Sequence, residues 1–295
     1  MCFILSNVGN DIFADKKEVS NPIPPQVAQP QVASKVPTAS ANICASLRRS
    51  NPLYPLNQRQ QYFINILATL QECKSLEDVS RLYPDDASIS YDIKFNVPQL
   101  TRTTKIDKTA CELLHKELGL HDLQPVHIRG DGNCLPRSGS YLACGDDDLM
   151  HVEMRCRMVI ELARHKHLYT SNNFVGKKDC SEDIVSFYTS YSGFYDDKMS
   201  THEVFTREVL GITKINSWMG IWGVHALASI SKQNVWSIYP GNGAPRRHLE
   251  RLISPRETDT NVCDRELKVM WTNTTNTNVE DWWQPNHFVA VLPNM

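Results

Sequence analysis

Strand-forming runs come late in this chain, and that order limits its architecture more than any other feature. Val235-Trp236-Ser237-Ile238-Tyr239, residues 267–271 and the apolar run Phe288-Val289-Ala290-Val291-Leu292 read as strands. One short extended piece, residues 124–128, precedes them. Helical spacing dominates the earlier chain. From Gln58, Tyr62, Ile66, Leu70 and Cys73 recur on one face; over residues 105–118, Ile106, Ala110, Leu113, Leu114 and Leu118 do so, with Gly119 placed to end the helix. Over residues 149–169, Val152, Cys156, Val159 and Ala163 point inward, and Glu153, Arg157, Glu161 and Arg164 fall on the solvent side. Residues 222–231 form one more helix. Helices first and strands late predict an α+β fold, not a regular βαβ alternation.

Residues 21–40 hold Pro22, Pro24, Pro25, Pro30 and Pro37 among Gln, Ala, Val and Ser. Such a stretch propagates neither helix nor central strand and has little to bury. Residues 1–50 are therefore expected to be a disordered tail, dispensable for folding, and residues 51–295 a single domain. Within the domain, residues 180–215 are polar and aromatic, with helical fragments broken at Gly193 and Gly211.

Charge excludes several functions. Lys plus Arg is 31 and Asp plus Glu is 33, so no broadly basic surface for nucleic acid exists. The local run Arg246, Arg247, His248, Arg251 and Arg256 reads as a solvated loop. No apolar run approaches the ~18 residues of a membrane helix, and the apolar start lacks the basic flank of a secretory signal. An intracellular protein, cytoplasmic or nuclear, is expected. Its nine cysteines contain no Cys-x-x-Cys pair, so no zinc site is predicted. In a reducing compartment most are small buried hydrophobes.

One cysteine stands apart. In Gly130-Asp131-Gly132-Asn133-Cys134-Leu135-Pro136-Arg137, two glycines flank an acid, and Cys134 opens a helix. Pro136 suits a first turn, where amides have no intrahelical partner. A helix N-terminus favours a thiolate, and the amides of Gly132, Asn133 and Cys134 could form an oxyanion hole. A structural turn has the same local pattern. A nucleophilic cysteine needs a base. Of the ten histidines, His165 and His167 read as exposed, His115, His121 and His151 as surface or capping, and His225 as a satisfied core group. His287 opens the final strand, 153 residues after Cys134.

These motifs resemble the ovarian tumour (OTU) family of deubiquitinating cysteine proteases. Residues 130–137 resemble its nucleophile motif, and Val126-His127-Ile128 the strand before it. His151-Val152-Glu153-Met154-Arg155 resembles the next helix. Trp222-Gly223-Val224-His225-Ala226-Leu227-Ala228 and residues 235–239 resemble a later helix and strand, and Asn286-His287-Phe288 the closing motif. The match covers residues 123–295. It implies a papain-like fold with a small mixed or antiparallel sheet flanked by helices. It further implies Cys134 as nucleophile, His287 as general base, Asp131 as an active-site acid, Gly132 and Asn133 as the oxyanion loop, and no metal or cofactor. The implied partner is ubiquitin or a ubiquitin-like modifier and its conjugates. Where many members carry a polar residue two positions after the histidine, this chain has Val289; Asp131 or Asn286 is the expected substitute for orienting the ring.

Leu82-Tyr83-Pro84-Asp85-Asp86-Ala87, residues 152–169, 226–240 and 268–271 also resemble the vertnin family. That resemblance implies, as the alternative function, an OTU-derived interaction protein associated with transcription. Two features have plain readings. Asp146-Asp147-Asp148 reads as an acidic cap for the following helix, with a metal site as the sharper option. Trp282-Trp283 serves equally as a loop anchor or as a grip on a peptide beside His287.

Overall fold

The computed structural model describes residues 57–175, 183–256, 266–274, 279 and 283–294. The expected tail, and Cys2, Cys44, Cys180, Cys263 and Trp282, lie outside the described residues. Helices α1 (Gln58–Glu72), α2 (Leu76–Leu82) and α3 (Lys108–Leu118) come first, then strand β1 (Leu123–Val126). Next are α4 (Cys134–Cys144), α5 (His151–Arg164), α6 (Lys166–Tyr169), α7 (Asn172–Val175), α8 (Ile184–Tyr191), α9 (Thr201–Gly211) and α10 (Ile221–Ser231). The chain then runs through β2 (Val235–Ile238), α11 (Gly243–Leu249), β3 (Arg251–Ile253), β4 (Leu267–Thr272) and β5 (His287–Pro293). The fold is α+β, as the element order predicts.

The five strands make one mixed sheet in the order β1-β5-β4-β2-β3. Only the β2–β4 pair is parallel. β5 lies between β1 and β4, with Val126 opposite Ala290 and Thr272 opposite His287. Its residues from His287 to Leu292 are all buried, which accounts for its unbroken apolar run. On one face, Phe288 meets Trp271 at 4.3 Å between ring centroids, and Trp218 stacks on Phe288 at 4.9 Å. The Trp271 indole N–H donates to Ser237 Oγ, so this large side chain is buried without an unmet donor.

Local signals hold at several ends. Asn57 and Gln60 cap α1 reciprocally. Gly119 takes φ +65° after α3, the conformation that glycine adopts without strain. Asp107, not Lys105, marks the start of α3, because its carboxylate accepts from the Ala110 amide.

Helix α5 corrects the amphipathic reading. Glu153 and Glu161 are buried, as are Val152 and Cys156 on the other side. Charges from distant elements meet them: Arg59 donates to Glu153 through two bonds of 2.6 Å, and Arg256 Nε lies 2.9 Å from Glu161. Arg157 also donates to Glu153. The helix is central, and its polar face is neutralised rather than solvated. The basic run is corrected too. Residues 243–249 are helical, Arg246 pairs with Glu250, and Arg251 donates to Tyr188.

Candidate active site

The site is built where the start of α4, the mouth of β5 and the loop before α10 converge. Residues 129–133 turn into α4 with Gly132 at φ +80°. A Cβ on Gly132 would fall 1.9 Å from the Asn216 carbonyl oxygen, so the two loops touch backbone to backbone and only glycine fits. Asn216 itself has φ +66°.

Asn133 fixes this contact. Its Nδ2 donates to Asn216 Oδ1 at 2.6 Å, and its Oδ1 accepts from the Asn216 amide at 3.0 Å. The backbone N–H of Asn133 donates to Asp131 Oδ1 at 3.0 Å. That amide is spent within the loop, so of the three amides considered from sequence, those of Gly132 and Cys134 are the ones left for an oxyanion.

Asp131 faces Arg137, whose Nη2 lies 2.7 Å from Oδ2. Burial alone would raise the Asp131 carboxyl, but the hydrogen bond and charge of Arg137 outweigh it and hold the group at about 2. Arg137 also reaches Asp148 at 2.7 Å, and Arg129 reaches Asp148 at 2.6 Å. The acidic run 146–148 is therefore a partner for arginines. Met150, not an acid, occupies the N-cap of α5, so the capping expectation is corrected. His151 is buried, with Nδ1 2.8 Å from the Asp148 carbonyl, rather than at the surface.

Cys134 is the first residue of α4, as expected, but its side chain is only 2% exposed. Burial pushes the thiol up to about 12. The backbones of Phe288 and Leu135 and the charge of Arg155 pull it down without overcoming burial. Cys134 opens a helix, where the dipole favours a thiolate, while desolvation acts the other way on this buried thiol.

His287 is also buried at the mouth of β5. Its ring packs on the loop before α4: a Cβ on Gly130 would lie 3.7 Å from Nδ1 and 3.8 Å from Cε1. Nδ1 is enclosed and has no hydrogen-bond partner among the described residues. Burial lowers the basicity of the ring, while Asp107 and the Ile128 backbone raise it. Val289 shares the face of His287 and is fully buried. Neither expected substitute bonds to the ring. Asn286 is tied to Thr274, its Oδ1 accepting from the Thr274 amide at 3.0 Å, and Asp131 is engaged by Arg137 and Asn133.

Sequence reasoning missed two contributors. Arg155, buried on α5, donates to Gly132 O, Asn133 Oδ1, Ile212 O and Ser217 O. Asn216 locks the loop from 83 residues away. Arg155 lies in the segment that resembles the family helix; nothing in local spacing marks Asn216. His225 is the core histidine anticipated, with Nε2 3.3 Å from the Tyr188 hydroxyl. Trp283 packs edge-on against Tyr239 at 5.4 Å, as a loop anchor would. Among the described residues no cluster of metal-ligating side chains occurs, and no helix is long and apolar enough to cross a membrane.

The family model described as "Vertnin, OTU domain" matches residues 125–272, half of the chain, from within β1 to the end of β4. The chain belongs to this vertnin OTU-domain family. Human vertnin is 25% identical over 230 residues, covering 73% of this chain and 32% of its own length. Mouse vertnin is 30% identical over 177 residues, covering 57% and 22%, and that of Ailuropoda melanoleuca 28% over 176 residues, covering 57% and 23%. The chain thus spans about a fifth to a third of the length of these vertnins. A structure of the OTUD1 OTU domain aligns at 18% identity with a TM-score of 0.34, covering 62% of this chain and 95% of that one.

Proposed function

We propose that this vertnin-family OTU domain is a cysteine-dependent deubiquitinase. It hydrolyses the isopeptide bond between ubiquitin, or a ubiquitin-like modifier, and a lysine of a conjugated protein. The observation that supports it best is the convergence of Cys134 and His287 on one loop. Residues 153 apart in sequence meet it from two sides, and His287 brings an enclosed, unpartnered Nδ1. The Cys134 thiolate attacks the carbonyl carbon of the modifier's terminal glycine. The Gly132 and Cys134 amides receive the oxyanion. His287 protonates the departing lysine amine, then takes a proton from water as it hydrolyses the thioester. No step calls on a metal or cofactor.

No hydrogen bond joins Cys134 to His287, and the thiol is buried, so a substrate tail reaches it only once the residues around it move aside. The test is a ubiquitin carrying a thiol-reactive C-terminus. The parent should form a covalent adduct, and Cys134→Ala should form none. His287→Ala should slow adduct formation at least a hundredfold, in line with the usual contribution of a general base.

The buried, high-pKa thiol favours a second reading, a non-catalytic OTU-derived binding protein of vertnin type. An unreactive parent that still binds its partner normally after Cys134→Ala would establish that reading instead.

A further inference from the structure

Arg155 is 1% exposed, yet every oxygen that it meets is neutral. Nη1 donates to Ile212 O at 2.7 Å. Nη2 lies 3.1 Å from Gly132 O, 2.8 Å from Asn133 Oδ1 and 2.9 Å from Ser217 O. Nε has no partner among the described residues. Removing a guanidinium from water is costly, and a buried arginine is ordinarily matched by a carboxylate. Here four dipoles hold the cation and none cancels its charge. Two of them belong to the residues immediately before Cys134.

Tying two loops together does not in itself need a full charge, since a neutral amide could bridge some of these carbonyls. What a charge adds is an interaction with a negative group; Cys134, Cys156 and Asp131 all act on this cation, and Cys134, next in the chain to the residues that Arg155 holds, acts most strongly. Burial depresses the guanidinium itself to about 10, and Cys134 is foremost among the groups that raise it again.

We infer that Arg155 is a positioning residue for the nucleophile: it holds residues 132–133 against residues 212–217 and supplies the unneutralised positive charge that stabilises the Cys134 thiolate. This rests on the reading of Cys134 as the nucleophile. The site would then exchange one uncompensated charge for an internal ion pair each time the thiol loses its proton.

The two roles have opposite signature in one measurement. The rate of Cys134 alkylation by iodoacetamide is followed at pH 8 in the full chain by peptide mapping, with the thermal midpoint as the check on folding. If the charge matters, Arg155→Gln slows alkylation about tenfold, the change that one unit of thiol pKa gives. If Arg155 only ties the loops, its loss exposes the thiol and alkylation speeds up. Arg155→Lys keeps the charge and should stay within about threefold of the parent. Asn216→Ala loosens the same loop without touching the charge and should leave the rate unchanged or raise it. A rate in Arg155→Gln equal to or above the parent overturns the inference. So does a tenfold loss in Arg155→Lys, which stands as a test even where the Gln variant does not fold. Since no ubiquitin is used, a chain inert to the ubiquitin probe but showing this order of rates would lose the proposed substrate and keep the role of Arg155.

Discussion

Two arginines, Arg137 on α4 and Arg155 on α5, are each 1% exposed and both touch the loop before Cys134, but they sit in opposite surroundings. Arg137 faces Asp131 and Asp148 at 2.7 Å each. Burial works against its charge, and the two carboxylates raise its pKa regardless. Arg155 faces carbonyl and amide oxygens only, and burial wins, pulling it down. One end of the loop is an ordinary ion-pair anchor that fixes where the helix begins. The other end leaves a charge available, which a purely structural design has no reason to do.

The sharpest way to break the comparison is to push the loop off both anchors at once. Gly132→Ala would place a methyl into the Asn216 carbonyl and force a β-carbon residue to φ +80°. Such a change should destabilise the domain by about 3 kcal/mol or more in urea melts, the range of severe backbone strain and overpacking. Next comes Arg137→Met, which leaves Asp131 without its cation and Asp148 with Arg129 alone. Breaking a buried pair typically costs ~3–5 kcal/mol; both carboxylates retain some solvent, so about 2 kcal/mol is expected.

The smallest effect is the most diagnostic. The Asp131 carboxyl is held at about 2, below its unfolded value, so its contribution is fully present above about pH 4 and fades as pH falls toward 2. Asp131→Asn should remove about 1 kcal/mol of stability at pH 6, discounted for its partial exposure, and the gap to the parent should close near pH 2. Arg155→Lys, with no carboxylate opposite, should show a pH-independent difference across the same window. Parallel curves for both variants would erase the distinction between the two anchors.

Much of this site was legible in the sequence. The glycine at positive φ, the cysteine opening α4 and the histidine opening β5 follow from local rules about turns, first turns and strand ends. What was not legible depends on partners far along the chain. The charges on α5 repeat at helical spacing exactly as a wet face would, and only Arg59 and Arg256, more than 90 residues away, make them interior. The burial of Cys134 was hidden for the same reason. A helix N-terminus is visible in eight residues, whereas the burial of its first side chain is set by tertiary packing. The alternation that places Val289 on the His287 face was readable; that neither Asp131 nor Asn286 would turn toward the ring was not, since each is claimed by neighbours that local sequence does not announce.

The place of β5 in the sheet has a consequence for how the chain is made. β5 separates β1 from β4, although about 160 residues lie between its own sequence and that of β1. A ribosome feeding the chain out from its N-terminus exposes β1 long before residues 287–293 exist. Through that interval β1 has an open hydrogen-bonding edge, and α4 lacks the strand it packs against. Such late, long-range pairing is slow and leaves nascent chains open to wrong partners. The edge of β1 therefore stays open until β5 arrives, and His287 packs on the loop before Cys134 only then.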